Sequence, residues 1–408
     1  MRVAMWLSTG VFAAAAALAA AAPSDPLAPV GDFKKPAAAP VKPVVETLWG
    51  RKVTDDYRYM EAQKPETMEW MKAEGAYTRR VLDAIQPLGQ LRTEVARFSA
   101  SFGLIQGYTS YGGRAFYEER APGSDNFDLM VRDGSGTRKI VDVAALRAAH
   151  GGTPYAINYF LASPDGAKVA VGVSAGGSED AAISVYDAKS GAQIAGPIDR
   201  AQFGATAWSD DGKMLYFVRL KKLTPKDPPT EKYKDATADA WNLKSEPVSV
   251  LGTTLGHGPV FTHEEFPAVV IGVGSPLAAA FSINGVQNEL AIWLTPVARI
   301  ADPKADWTKF VTRDDDVTSI DMRGEEIFLL SHKDAPTFKV LSVRAGQPLS
   351  AARTLVPARP DRVIEAVHAA SDALYVLAHH GAYSQLLRIP AGTDRVEEVG
   401  RASCRERV

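Results

Sequence analysis

The sequence predicts a mainly β fold, a β-propeller of about six blades that follows a short α-helical N-terminal segment. Three observations predict it. Short apolar runs of period two alternate with turn clusters from about Gly107 to Val399. Matching runs recur roughly 50 residues apart, the period of a four-stranded propeller blade. Helical spacing is confined to the stretch between Pro65 and Phe98.

Taken in order, residues 1–22 read as a signal peptide. Arg2 supplies positive charge, Val11 to Ala22 is an unbroken apolar run, and the alanines offer small-x-small cleavage sites. Ser8, Thr9 and Gly10 and the alanine-rich core argue against a membrane anchor, and the expectation is export to the periplasm or medium. Residues 23–43 hold six prolines among Ala and Lys and predict an extended, solvated linker. Order is expected from Val44.

Residues 44–102 form the helical segment. Val45 to Ala62 has aromatics but no clean period. Pro65 stands where a helix accepts a proline, and Met68, Met71, Gly75, Thr78, Leu82 and Ile85 then follow as one helix face. After Pro87, Leu88, Leu91, Val95 and Phe98 make a second. Two amphipathic helices are too little for a core, so a partner surface is expected.

Residues 103–400 carry the blades. Phe160 to Thr253 shows the plan twice. Ser163-Pro164-Asp165-Gly166, Ala175-Gly176-Gly177-Ser178 and Asp187 to Gly191 are turns, and Val169, Val171 and Val173 predict a half-buried strand between the first two. Ser209-Asp210-Asp211-Gly212 and the strand Met214 to Leu220 repeat it. Second strands are predicted at Ala115-Phe116-Tyr117, Val169-Ala170-Val171, Leu215-Tyr216-Phe217, Val269-Val270-Ile271, Ile327-Phe328-Leu329 and Leu374-Tyr375-Val376. Lys221 to Glu246 reads as a polar insertion in the third unit, a solvated loop or a rim at the propeller mouth. Residues 401–408 (RASCRERV) have no strand period and do not fit the pattern.

Several of these motifs, in this order, resemble the prolyl oligopeptidase family. They are Asp55-Asp56-Tyr57-Arg58-Tyr59-Met60-Glu61, Trp70, Tyr77-Thr78-Arg79, the Ser163 to Gly166 turn, Gly177-Ser178-Glu179, Trp208 to Gly212, Leu251-Gly252-Thr253 and Ser331 to Pro336. Where the family usually has Pro, Trp and Leu in the first motif, this chain has Asp56, Tyr59 and Met60. The resemblance implies a serine peptidase of two domains. A seven-bladed propeller admits only short peptides to an α/β-hydrolase domain, which carries the nucleophile, acid and histidine. Six blades are countable here, and the seventh and the hydrolase domain are expected to be missing.

Composition excludes other classes. Net charge −2 gives no reason to expect nucleic acid or an anionic membrane as partner. The single cysteine, Cys404, excludes an intrachain disulfide and a cysteine-based metal cluster. Gly172-Val173-Ser174-Ala175-Gly176 satisfies the nucleophile-elbow pattern, but strand alternation resumes at Ala182 where the elbow requires a helix, so Ser174 is read as part of a hairpin. Of the seven histidines, His263-Glu264-Glu265 begins like a zinc-protease helix, yet Pro267 bars it. His379 and His380 point to opposite strand faces and would not share an ion. No phosphate loop is present. The expectation is therefore no catalytic residue, cofactor or metal ligand in this chain, with Trp208 and Tyr216 in inter-blade core. Two functions remain. One is the propeller part of an exported prolyl oligopeptidase-like endopeptidase for short proline-containing peptides, inactive without its own hydrolase domain. The alternative is a stand-alone periplasmic six-bladed propeller that binds a ligand or protein.

Overall fold

The computed structural model describes residues 33–85 and 87–403. The signal-peptide reading, residues 23–32 of the linker reading and residues 404–408 of the tail reading, Cys404 among them, fall outside them. The described chain divides into two compact units, one ending at Ser101 and the other beginning at Phe102.

In the first unit a hairpin joins β1 (Val44–Leu48) to β2 (Arg51–Asp55). Its two-residue loop, Trp49 and Gly50, has positive φ at both positions, the geometry that matches strand twist. Sequence reading missed this hairpin because Trp49 does not advertise such a turn. Arg58 then forks onto Glu46 and Asp55, with Nη2–Oε2 of 2.8 Å and Nε–Oδ2 of 2.9 Å. Helix α1 (Pro65–Asp83) starts at its proline, and α2 (Leu88–Ala100) follows.

The covered face of α1 is only partly the predicted one. Thr67 is buried and Met68, Trp70, Glu74, Tyr77, Val81 and Leu82 are half-buried, while Met71, Gly75, Thr78 and Ile85 are exposed. The reason is the proline-rich segment, whose described part is held rather than free. Trp70 Nε1 donates to the Ala37 carbonyl (3.0 Å), Tyr59 Oη to that of Pro40 (2.8 Å), and Lys42 N to that of Asp56 (2.9 Å). On α2, Leu91, Val95 and Phe98 are all exposed.

The second unit is six antiparallel four-stranded sheets, each a meander in chain order. Blade one holds β3 (Leu104–Tyr111), β4 (Arg114–Arg120), β5 (Asp128–Asp133) and β6 (Gly136–Val141), and a short helix α3 (Val143–Ala149) leads out of it. Blade two holds β7 (Tyr155–Ala162), β8 (Lys168–Ala175), β9 (Ala182–Asp187) and β10 (Gln193–Ile198). Blade three holds β11 (Ala205–Trp208), β12 (Leu215–Arg219), β13 (Thr237–Trp241) and β14 (Val248–Gly252). Blade four holds β15 (Glu265–Ile271), β16 (Leu277–Asn284), β17 (Gln287–Pro296) and β18 (Thr308–Val311). Blade five holds β19 (Val317–Arg323), β20 (Glu326–Ser331), β21 (Lys339–Arg344) and β22 (Arg353–Val356). Blade six holds β23 (Val363–Ala369), β24 (Ala373–His380), β25 (Tyr383–Pro390) and β26 (Glu397–Ser403).

The turn chemistry follows the sequence closely. Ser163 Oγ donates to Asp165 Oδ1 (2.6 Å), which also accepts from Ala167 N, while Lys168 N donates back to Ser163 Oγ. Ser209, Asp211, Lys213 and Met214 repeat these bonds one blade later. Such side-chain loops fix the reversal locally.

Four readings are corrected. Val269-Val270-Ile271 lies in β15, a first strand, and the second strand of blade four is β16. Ala278, Ala279 and Ala280, all fully buried, hid it, since an alanine run carries little strand signal. The insertion ends before β13, whose Ala238, Ala240 and Trp241 are core. Arg401 to Ser403 continue β26 against β25. The β8 strand is also not half-buried. Val169 and Val171 face blade one while Ala170 faces blade three, and all three are fully buried. An interior blade has a neighbour on each side, so alternation of apolar with small residues reads out two cores.

Each junction is such a core. Phe116 and Leu129 meet Val169 and Val171 between blades one and two; Ile183 and Val185 meet Leu215 and Phe217 next. Tyr216 and Val250 pack on Val269 and Trp293, and Ile292 on Met322 and Leu329. Phe328 and Leu330 close on Leu374 and Val376. Among the described residues buried clusters span these five junctions and no buried cluster joins blade six to blade one.

Candidate functional site

The two ends of the propeller differ. At one end the turns between first and second strands interlock from blade to blade. A Cβ on Gly112 would lie 1.9 Å from the Asp165 carbonyl oxygen, and one on Gly272 would lie 2.1 Å from that of Met322. Arg114 Nη1 donates to the Gly166 carbonyl (3.2 Å) and Lys168 Nζ to that of Gly212 (3.1 Å). Between the last two blades, Asp321 takes over this role. Its carboxylate accepts from Ala369 N (2.8 Å) and lies 3.3 Å from His368 Nδ1. The hydrogen bond to Asp321 raises the His368 pKa above its ordinary value against the opposing effect of burial. The Tyr111 hydroxyl is pushed up by burial and then by the charge of Asp321. Blades five and six thus share one carboxylate.

The other end is shaped by the insertion, residues 221–236. It is tied down rather than left as a solvated loop. Lys232 Nζ reaches Asp180 of blade two (2.6 Å) and Lys221 Nζ reaches Asp235 (3.1 Å). Asp235 also holds His263 and donates its backbone N–H to the His263 carbonyl (2.8 Å). Burial would raise the Asp235 pKa, but His263 and Lys221 hold it low. Phe203 stacks edge-on to Phe266, with ring centres 4.8 Å apart. Beneath the insertion a cavity of about 330 Å³ is lined by Asp199, Arg200, Leu220, Leu223 and their neighbours.

Behind this rim Glu265 is buried. Thr262 N donates to it (2.6 Å), Ser282 Oγ does so too (3.1 Å), and Arg313 pairs with it. Burial raises its pKa, and the Thr262 N–H and Arg313 more than reverse that. Sequence reading treated His263-Glu264-Glu265 only as a failed zinc motif. The missed signal was the register of β15, which pairs its first residue, Glu265, with Asn284 and brings Ser282 within reach.

Ser174 lies in β8 opposite Ala156, is buried, and precedes the positive-φ pair Gly176-Gly177 that turns into β9. No strand-to-helix bend occurs there, and among the described residues no hydrogen bond joins Ser174 to a histidine. Five histidines pair separately with carboxylates: His263 with Asp235, His332 with Glu289, His368 with Asp321, His379 with Glu365 and His380 with Asp361. The neighbours His379 and His380 thus reach different partners. Among the described residues no group of three or more His, Cys, Asp or Glu could hold a metal ion. Trp208 is inter-blade core, its Nε1 donating to the Leu161 carbonyl (3.0 Å), and Tyr216 is buried between blades three and four.

Comparison with known proteins adds to this geometry. The family described as "Prolyl oligopeptidase, N-terminal beta-propeller domain" matches residues 36–404. The prolyl endopeptidase of Elizabethkingia meningoseptica is 25% identical over 315 residues, which are 74% of this chain and 42% of that protein. That of Elizabethkingia miricola is 26% identical over 318 residues, with the same two shares, 74% and 42%. Among solved structures, prolyl oligopeptidase B from Galerina marginata, bound to a 35mer hydrolysis and macrocyclization substrate, superposes with TM-score 0.75. It is 14% identical over 92% of this chain and 54% of its own. One of two prolyl endopeptidases analysed for inter-domain dynamics superposes with TM-score 0.73 at 20% identity, over 90% of this chain and 53% of that one. The chain thus spans about half the length, or less, of the relatives it matches.

Proposed function

The chain belongs to the prolyl oligopeptidase family, and from that premise we propose that it serves as the propeller part of an exported prolyl oligopeptidase-like serine endopeptidase acting on short proline-containing peptides. In this reading an α/β-hydrolase domain supplies the chemistry. A serine attacks the carbonyl after proline, a histidine takes and returns the proton, and a carboxylate orients the histidine. The propeller contributes exclusion, since rigid blades locked by inter-blade cores and interlocked turns keep folded or long chains from the catalytic groups. Arg2, the apolar run from Val11 to Ala22 and its small-residue cleavage sites support export.

The observation that carries the reading is the one-sided burial of the sixth blade. In β12 and β20 successive residues are buried on both faces, whereas in β24 Leu374, Val376 and Ala378 are buried but Tyr375, Leu377 and His379 are not. A ring closed at six blades would cover that face, which disfavours the stand-alone alternative. Two experiments test the proposal. The purified chain should not cleave a chromogenic Gly-Pro substrate, and turnover lost in Ser174→Ala would overturn the assignment of chemistry to another domain. Sequencing the gene beyond the Val408 codon should find a frame for a hydrolase domain, and a locus without one would overturn the proposed role.

A further inference from the structure

A second cavity, of about 440 Å³, opens between blades five and six near the hairpin that joins β24 to β25. Three guanidinium groups line it, those of Arg359, Arg362 and Arg401, together with the carboxylates of Asp361 and Glu398. Two of the three are satisfied. Arg359 grips Asp361 through two bonds, Nε–Oδ1 of 2.9 Å and Nη2–Oδ2 of 3.0 Å. Arg401 pairs with Glu398, which also accepts from Gln385 Nε2 (2.7 Å).

Arg362 differs. Among the described residues no carboxylate lies within 4.0 Å of it, and its Nε–H is sealed from solvent with no acceptor. Burial, and then the charge of Arg359, lower its pKa. An unsatisfied, partly buried donor is costly, and a planar guanidinium is satisfied best by a planar two-oxygen acceptor. The charge balance selects the size of that acceptor's charge. With His380 neutral, three guanidinium groups against two carboxylates leave one positive charge, which one monoanion neutralises and a dianion overshoots. The rest of the lining is His380 and Gln385 together with the apolar Val356, Pro357, Leu387 and Val396.

We propose that this cavity binds a small organic monocarboxylate, its two oxygens on the two Nη groups of Arg362 and its hydrocarbon part against the exposed Pro357 and Val396. The site is independent of the peptidase reading, since it requires neither a hydrolase domain nor a peptide substrate.

The test is a titration of the full chain, followed by amide NMR shifts and calorimetry, with 3-methylbutanoate as probe and 3-methylbutanamide and inorganic phosphate as controls. The carboxylate should bind in the millimolar range with shifts clustered on residues 356–362, 380–387 and 396–401. Arg362→Gln should weaken it at least about tenfold, and Arg362→Lys should weaken it as well, because a point charge lacks the fork. Glu398→Gln, which frees Arg401, should tighten binding about threefold or more. Equal binding of the amide, tighter binding of phosphate, shifts elsewhere, or unchanged affinity in Arg362→Gln or Glu398→Gln would each overturn the proposal. Where Arg362→Gln fails to fold, the shift pattern of the unaltered chain and the Glu398→Gln affinity decide.

Discussion

The one-sided burial of the sixth blade can be tested with four leucines. Leu329 and Leu330 are neighbours on β20 and face opposite ways, Leu329 into the core with blade four and Leu330 into the core with blade six. Both are buried, at 0% and 3% exposure. Truncating a buried leucine to alanine removes its transfer free energy and leaves a cavity, at about 2–5 kcal/mol. Leu329→Ala and Leu330→Ala should therefore each cost that much. On β24, Leu374 faces blade five at 0% exposure, whereas Leu377, three residues on and on the other face, is only half-buried. Leu374→Ala should cost about 2–5 kcal/mol, and Leu377→Ala less than about 1 kcal/mol. At roughly 2–4 °C per kcal/mol for a unit of this size, the melting point should fall by about 4–20 °C for the first three and by under about 4 °C for the fourth. Denaturant unfolding with matched m-values gives the same comparison as free energies. A Leu377→Ala cost equal to that of Leu374→Ala would mean the outer face of blade six is covered, and the argument from an uncovered face would fail.

Three further outcomes are expected. Gly272→Ala should destabilise by about 1–3 kcal/mol or more, because its Cβ meets the Met322 backbone, while Gly274→Ala meets only open space and should cost little beyond its strained φ; equal melting points would refute the interlock. His368 should titrate above 6.5 by NMR. Since its folded-state pKa is the higher one, the Asp321 contact stabilises fully below the unfolded pKa and is lost as pH rises through the folded value, so His368→Gln should flatten the melting profile in that window. Asp235→Ala releases Lys221, His263 and the end of the insertion, so trypsin should cut between residues 221 and 234 severalfold faster with little change in melting temperature; unchanged cleavage would mean the clamp lies elsewhere.

What could be read from the sequence was what is local. The Ser163 to Gly166 and Ser209 to Gly212 turns form because each Ser and Asp bonds to its own backbone within five residues, and no distant partner is needed. Pro65 starts α1 for the same reason. What could not be read depends on distant neighbours. The covered stripe of α1 is set by the proline-rich segment some thirty residues earlier, which supplies the Ala37 carbonyl to Trp70. The buried Glu265 depends on Arg313, 48 residues away in sequence. The wrong strand in blade four shows a weak local signal losing to a strong one. Val269 to Ile271 carries the β-branched residues, yet fully buried alanines make the true second strand, because the space between blades three, four and five is filled by Trp293, Met322 and their neighbours.

The same reasoning bears on the sixth blade. If β24 had been shaped for solvent on its outer face, that face should alternate to polar residues, as one-sided sheets do. Tyr375 and Leu377 of β24 and Leu386 of β25 stand there beside His379, Ser384 and Arg388, so apolar residues persist among polar ones, and Leu386 is 36% exposed. A sheet face with this composition and no cover exposes both apolar area and an edge that can pair with another chain. In the proposed reading that face meets a further part of the enzyme. Its apolar residues are then complementary to a neighbour, as Leu330 is to Leu374 on the inner side.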